Sequence, residues 1–398
     1  MNKKFWLNKK FLLILLIIIV SVFFALVIWP SMNNNFESKA DAAVLISDSN
    51  IISTSSGATV IEIPQPAPVI RIKPEKINVR GIYLTAYSAG SDKKITNILA
   101  SIKKSDINAV VIDIKDYSGY LSYDSSLKMV NDLKLEQVKI KNLKALIAKL
   151  HKEKLYVIAR IAVFQDPLLA EKKPAWAVKS AKSGVAWRDR KGLSWVDPSN
   201  PEIWKYHVDV AKEAIDLGFD EVNLDYVRFP SDGAISDMRF PFLKDQTKAE
   251  ALKNFFAYFY EQTKDEPAYF SVDLFGLTTT VKNDMNIGQL LENAAPYFDY
   301  ICPMVYPSHY PNGYLGYANP ANYPYEVIYK AIKSGQERIA AVENNRSALR
   351  PWIQDFNMGA VYTAAMIKKE IKASADAGGD GYLVWDPKNI YTFGAFSK

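Results

Sequence analysis

From residue 78 onward two patterns alternate along the chain. Eight short apolar runs, rich in β-branched and aromatic residues, end in polar side chains. They are VRGIYLTAY (79–87), NAVVIDIKD (108–116), LYVIARIAVF (155–164), EVNLDYVRF (221–229), AYFSVDLFG (268–276), YICPMVYP (300–307), LRPWIQDF (349–356) and GYLVWDP (381–387). Between most of them the apolar positions recur with helical spacing, as over 94–105, 141–152, 203–217, 246–263 and 363–377. Several of these stretches stop at a turn residue, as Gly218 does before Phe219. Eight strands alternating with helices predict a (β/α)8 barrel over residues 78–398. An open doubly wound sheet competes. It normally carries a glycine-rich phosphate turn, and neither G-x-G-x-x-G nor G-x-x-x-x-G-K-[ST] occurs here.

In a barrel the chemistry gathers at the carboxyl ends of the strands, and side chains alternate between interior and helix layer. With Asp225 taken as inward, Asn223 shares its face. The same alternation pairs Asp113 with Lys115, Arg160 with Ile158 and Ala162, and Asp273 with Ser271 and Phe275. Tyr306, Gln354 and Asp386 end the later runs, with Tyr83 and Trp385 beside them. Burying so many polar groups without purpose is costly, so a polar pocket at one rim is expected. Asp225 and Asp273, on adjacent strands, form the two-carboxylate pair that glycoside hydrolysis uses: one meets the anomeric carbon, the other protonates the departing oxygen. Each also has a structural reading. Asp225 fits an ion pair with Arg160 or Arg228, Asp273 a hydrogen-bond acceptor, and Asp386 a turn. The candidate substrate-binding residues are Tyr83, Asp113, Lys115, Arg160, Trp195, Arg228, Tyr306, Gln354, Trp385 and Asp386. Trp195 belongs to a long segment, 165–220, that also holds Trp176, Trp187 and Trp204. Such a segment is either a lid with sugar-stacking rings or a packed subdomain.

Residues 11–29, FLLILLIIIVSVFFALVIW, carry no charge and follow Lys3, Lys4, Lys9 and Lys10. That length nearly crosses a ~30 Å hydrocarbon layer at ~1.5 Å per residue. Residues 1–30 therefore read as a cytoplasmic tip and transmembrane anchor, with the remainder outside. The alternative is a cleaved signal peptide and a secreted protein. Residues 31–77, rich in Ser, Asn, Ala and Pro, read as a flexible linker.

The formal charge of +6 is concentrated at those leading lysines, and no basic stripe suggests a nucleic-acid partner. The single cysteine, Cys302, rules out an intramolecular disulfide, and three scattered histidines argue against a zinc hydrolase. No metal or cofactor is expected.

The runs quoted above resemble a bacterial family described as "putative glycosyl hydrolase" domains, long carried as a domain of unknown function and related to alpha-amylase-type barrels. GFDEVNLDYVRFP is the most specific element, followed by LRPWIQDF. The resemblance covers nearly all of 78–398 and implies a (β/α)8 barrel in an extracytoplasmic, glycosidase-like protein. It implies a catalytic Asp at the fourth strand, here Asp225. At the fifth strand the alpha-amylase type has Glu where this chain has Asp273. The expected function is a membrane-tethered glycoside hydrolase acting on a cell-envelope or secreted polysaccharide. The alternatives are a non-catalytic polysaccharide-binding barrel and a transglycosylase using the same carboxylates.

Overall fold

The computed structural model describes residues 72–396. The cytoplasmic tip, the anchor and most of the linker expected from the sequence lie outside the described residues. Among those described, no helix is long and apolar enough to cross a membrane. Residues 72–77 form neither helix nor strand. They lie against the foot of the barrel, where Tyr269 donates to the Pro74 carbonyl at 3.2 Å and Lys76 pairs with Asp380 at 3.2 Å.

Eight parallel strands form the barrel: β1 (Arg80–Leu84), β2 (Ala109–Lys115), β3 (Tyr156–Ala162), β4 (Glu221–Asp225), β5 (Tyr269–Phe275), β6 (Tyr300–Met304), β7 (Trp352–Gln354) and β8 (Tyr382–Trp385). Each pairs with its sequence neighbours, and β8 returns to β1 to close the ring. The β6–β7 seam is the thinnest: Trp352 pairs with Met304, while Ala348–Leu349 pairs with the start of β6. The principal helices are α1 (Asp92–Ile102), α2 (Leu143–Lys152), α3 (Pro201–Leu217), α4 (Lys248–Thr263), α5 (Leu291–Ala294), α6 (Pro324–Ala340) and α7 (Ala364–Asp376).

Local sequence sets these boundaries. Asn200 caps α3, Pro201 occupies its first turn, and Gly218 ends it in the left-handed conformation. Thr247 and Glu250 form a capping box on α4. Gly381 opens β8 at φ +80°, where a Cβ would fall 2.0 Å from the Val79 carbonyl oxygen, so a side chain there would collide with β1.

The strands are buried on both faces, which explains their nearly continuous apolar runs. Val110, Ile112, Val157 and Leu224 face the helices, whereas Val111, Ile158, Cys302 and Trp352 fill the interior. The interior also holds charge. Near the foot, Arg350 donates from Nη2 to both carboxylate oxygens of Glu221, at 2.8 and 2.9 Å. Its guanidinium lies 3.8 Å from the centre of the Tyr300 ring. Ser271 and Tyr156 complete the Glu221 shell, at 2.5 and 3.1 Å.

Both members of this pair are fully buried, so losing one strands the other. Glu221→Gln is expected to destabilise the fold by about 3–5 kcal/mol, and Glu221→Met with Arg350→Met to recover most of that loss. Urea unfolding checks this. A single variant within about 1 kcal/mol of wild type contradicts the assigned role.

Candidate active site

Above the Glu221–Arg350 layer a ladder of hydrogen bonds climbs toward the carboxyl ends of the strands. Asn223, two residues before Asp225 on β4, donates from Nδ2 to Ser271 at 3.0 Å and to Asp273 Oδ1 at 2.8 Å. Trp352 reaches across from β7 to donate its indole N–H to the same Oδ1 at 2.7 Å. Arg160 stands at the centre of the mouth. One Nη donates to Asp113 at 2.5 Å, the other to Asp225, and Nε lies 3.8 Å from Asp273 Oδ2. Carboxylates from β2, β4 and β5 thus share one guanidinium from β3. Tyr83 donates to Asp113 at 2.5 Å and stacks on Trp385, centroids 4.0 Å apart.

Asp225 and Asp273 both line a cleft of about 410 Å³ at this end of the barrel. Arg160, Arg228 and Trp385 share it with Tyr226, Phe275, Met304, Tyr306 and Trp352, and His309 and Tyr310 add further walls. Tyr226 has φ +53°, a left-handed backbone that bulky residues rarely adopt. The turn brings its own N–H to 2.5 Å from Asp225 Oδ1. Strain of this kind costs about 1–3 kcal/mol and concentrates at functional sites.

The other sequence candidates lie outside the lining of this cleft. Asp113 and Tyr83 sit directly behind Arg160. Lys115 faces the opposite way: the register shifts between Asp113 and Lys115, which breaks the alternation that placed both inward. Its ammonium pairs with Asp166 at 2.8 Å and donates to the Ala162 carbonyl. Trp195 is buried and bonded to Asp189 at 3.1 Å, with Arg228 over its ring. Trp187 likewise packs its segment, donating to the Ala234 carbonyl at 3.0 Å. Gln354 ties two loops, accepting from the Ser308 hydroxyl at 2.8 Å and donating to the Phe356 carbonyl at 2.8 Å. Asp386 closes a turn, accepting from the Lys388 and Ile390 amides. Tyr226, Trp352, His309 and Tyr310 were not among the sequence candidates. Trp352 shares the parity of Gln354 and was within reach of the alternation argument.

A family described as "Putative glycosyl hydrolase domain" matches residues 81–391. The chain belongs to this family. No curated protein matches it. A hypothetical protein from Ruminiclostridium thermocellum is 36% identical, over 48% of this chain and 96% of its own, with a TM-score of 0.45. The PgaB (BpsB) glycoside hydrolase domain from Bordetella bronchiseptica has a TM-score of 0.56 at 11% identity, over 78% of this chain and 94% of its own. Alpha-L-fucosidase isoenzyme 2 from Paenibacillus thiaminolyticus has a TM-score of 0.51 at 12% identity, over 80% and 47%. At such identities the last two likenesses show the fold alone.

In the glycosyl hydrolase domain the surroundings of Asp273 perturb its carboxyl. Burial, followed by the neighbouring charge of Asp225, pushes the Asp273 carboxyl well above the usual range, against the pull of Arg160, Asn223 and Trp352. Asp225 is held directly by Arg160 and the Tyr226 amide. The Tyr226 hydroxyl is pushed up to about 12 by burial and then by Asp225, so it stays protonated.

A carboxyl whose value is raised on folding contributes stability at low pH. That contribution disappears as pH rises from the ordinary value through the raised one. Asp273→Asn keeps an oxygen for Asn223 and Trp352 but cannot ionise. Its melting temperature relative to wild type is therefore expected to climb between acidic and neutral pH. Parallel melting curves for the two proteins across that range contradict the raised value.

Proposed function

We propose that this chain is a membrane-tethered, extracytoplasmic glycoside hydrolase that cleaves a cell-envelope or secreted polysaccharide with Asp225 and Asp273. One observation carries the reading: an arginine-paired Asp225 and an Asp273 carboxyl raised by burial share one cleft at the carboxyl end of a barrel. Family membership and the glycoside hydrolases that share the fold support it.

The chemistry follows from the contacts. Asp225 presents negative charge to the anomeric carbon, where the oxocarbenium-like transition state develops positive charge. Arg160 and the Tyr226 amide fix its orientation. Asp273 is the acid for the departing oxygen. Its Oδ1 already accepts from Asn223 and Trp352, so the proton resides on Oδ2. Once that proton has left, the developing charge faces Arg160 Nε. Trp385, Tyr306 and Phe275 give the cleft an apolar wall that suits the C–H groups of a sugar. The reading takes residues 11–29 as the anchor and the following segment as the tether.

Asp225→Asn in the full-length chain is expected to abolish turnover of a cleaved glycan while leaving thermal unfolding cooperative. Asp273→Asn is expected to lose about 10²–10⁴-fold with sugar leaving groups and much less with nitrophenyl leaving groups, which need no proton. Wild-type kcat is expected to fall as pH rises through the Asp273 value. Digestion of a glycan panel with products resolved by mass checks all three. Full activity in Asp225→Asn sinks the hydrolase. Binding without turnover in wild type indicates a binding barrel, and products longer than the substrate indicate a transglycosylase.

In intact cells, added protease is expected to remove the barrel. Protection of the barrel until the cells are lysed contradicts the extracytoplasmic location.

A further inference from the structure

Two buried arginines, Arg350 and Arg160, and a half-buried one, Arg228, on the loop after β4, have different surroundings. Arg350 is matched by Glu221, and Arg160 by Asp113, Asp225 and Asp273. Arg228 lines the same cleft as the two proposed catalytic carboxyls, and among the described residues it has no carboxylate within 4.0 Å. Its described hydrogen bonds both leave from Nη1 and both end on neutral acceptors, the Phe229 carbonyl at 3.2 Å and the Ser231 hydroxyl at 3.1 Å. Three rings hold its plane: Trp195 at 4.7 Å, Phe275 at 4.9 Å and Tyr226 at 5.6 Å from the guanidinium carbon. Burial pulls its pKa down, against the more distant charges of Asp225, Asp232 and Asp189, none of which is in direct contact with it. The rings offset part of that cost, and the guanidinium remains a half-buried cation with no carboxylate in direct contact.

We propose that Arg228 binds a carboxylate on the substrate, so that the cleft selects an acidic glycan containing uronic-acid-type sugars. This rests on the glycosidase reading of the same cleft. With Nη1 committed, the Nε–Nη2 edge is the side of the fork left for a ligand, and two parallel N–H donors match a planar carboxylate. The charge also matches, one guanidinium to one carboxylate. A phosphate monoester carries close to two negative charges near neutral pH and needs a second cation. The other arginine of the cleft is already shared by three carboxylates, and burial holds the His309 imidazole toward its neutral form. The rings that fix Arg228 also limit the ordering needed when an anion arrives, so the donor edge is preorganised.

The test uses the full-length chain carrying Asp225→Asn, so that bound glycan is not turned over. The probes are polygalacturonate and alginate oligosaccharides, each beside the same material after its carboxyl groups have been reduced to alcohols. The acidic form is expected to bind about ten- to a hundredfold more tightly than its reduced partner at low salt. Adding Arg228→Gln is expected to bring that ratio near one, and Arg228→Lys to restore part of it. The melting temperature of Arg228→Gln is expected to fall only slightly, through the lost ring contacts and Nη1 hydrogen bonds, because no ion pair is broken. The proposal is overturned by equal binding of acidic and reduced forms, by a ratio that Arg228→Gln leaves unchanged, by preference for sulfated or phosphorylated glycans alone, or by no binding of either acidic probe. Turnover with Asp225 intact separates the two claims. Asp225-dependent cleavage of neutral glycans, indifferent to Arg228, overturns this inference and leaves the hydrolase standing. Arg228-dependent binding of acidic oligosaccharides without any turnover does the reverse.

Discussion

The guanidinium of Arg160 is the contact on which the mouth of the barrel depends. Three carboxyl groups from three different strands converge on it, in a region from which most water has been removed. Without a fixed positive charge there, mutual repulsion and desolvation would force protons onto the acids or push the strands apart. With it, the acids are differentiated rather than equalised. Asp113 and Asp225 take its direct hydrogen bonds, while Asp273 sees only Nε at 3.8 Å and two neutral donors. Burial raises both Asp113 and Asp273, and Asp273, farther from the guanidinium and beside the Asp225 charge, is raised well above the usual range.

The same physics operates at the foot of the barrel and yields no chemistry. Glu221 and Arg350 are matched one to one, closed over by Tyr156, Ser271 and Tyr300, and fully buried. The layers are linked through Ser271 and Asn223, so the lower pair helps to fix the height and rotation of Asp273. What separates a structural charge cluster from a reactive one here is access. The upper cluster opens onto a cleft walled by aromatic rings, and the lower one does not. The left-handed turn at Tyr226 contributes to that opening, because it redirects the chain at the point where Asp225 leaves the sheet.

Much of this was legible in the sequence because a parallel barrel writes its strands as near-continuous apolar runs and marks their ends with charge. All eight runs contain a barrel strand, and strand alternation brought Asp113, Arg160, Asp225 and Asp273 to one face. The method failed where the backbone departs from regular pleating. A register shift carries Lys115 into a buried pair with Asp166, and a left-handed backbone at Tyr226, just past the end of β4, sets that residue in the cleft wall. Loop residues such as His309 and Tyr310 had no periodicity to place them. Trp195 illustrates a different limit. Its composition suited a sugar platform, but only the fold shows that the ring is covered by Arg228 and tied to Asp189.

The central claim is that the Asp273 carboxyl, beside an Asp225 paired with Arg160, holds its proton to a higher pH than an ordinary aspartate. The most direct measurement is a carbon-13 NMR titration of aspartate-labelled protein, with the Asp273 resonance identified by its loss in Asp273→Asn. The account predicts that this carboxyl titrates well above the ordinary aspartate value of about 4. It also predicts that its midpoint falls when Asp225→Asn removes the neighbouring charge. An Asp273 that ionises at or below the ordinary value in the folded wild-type protein contradicts it.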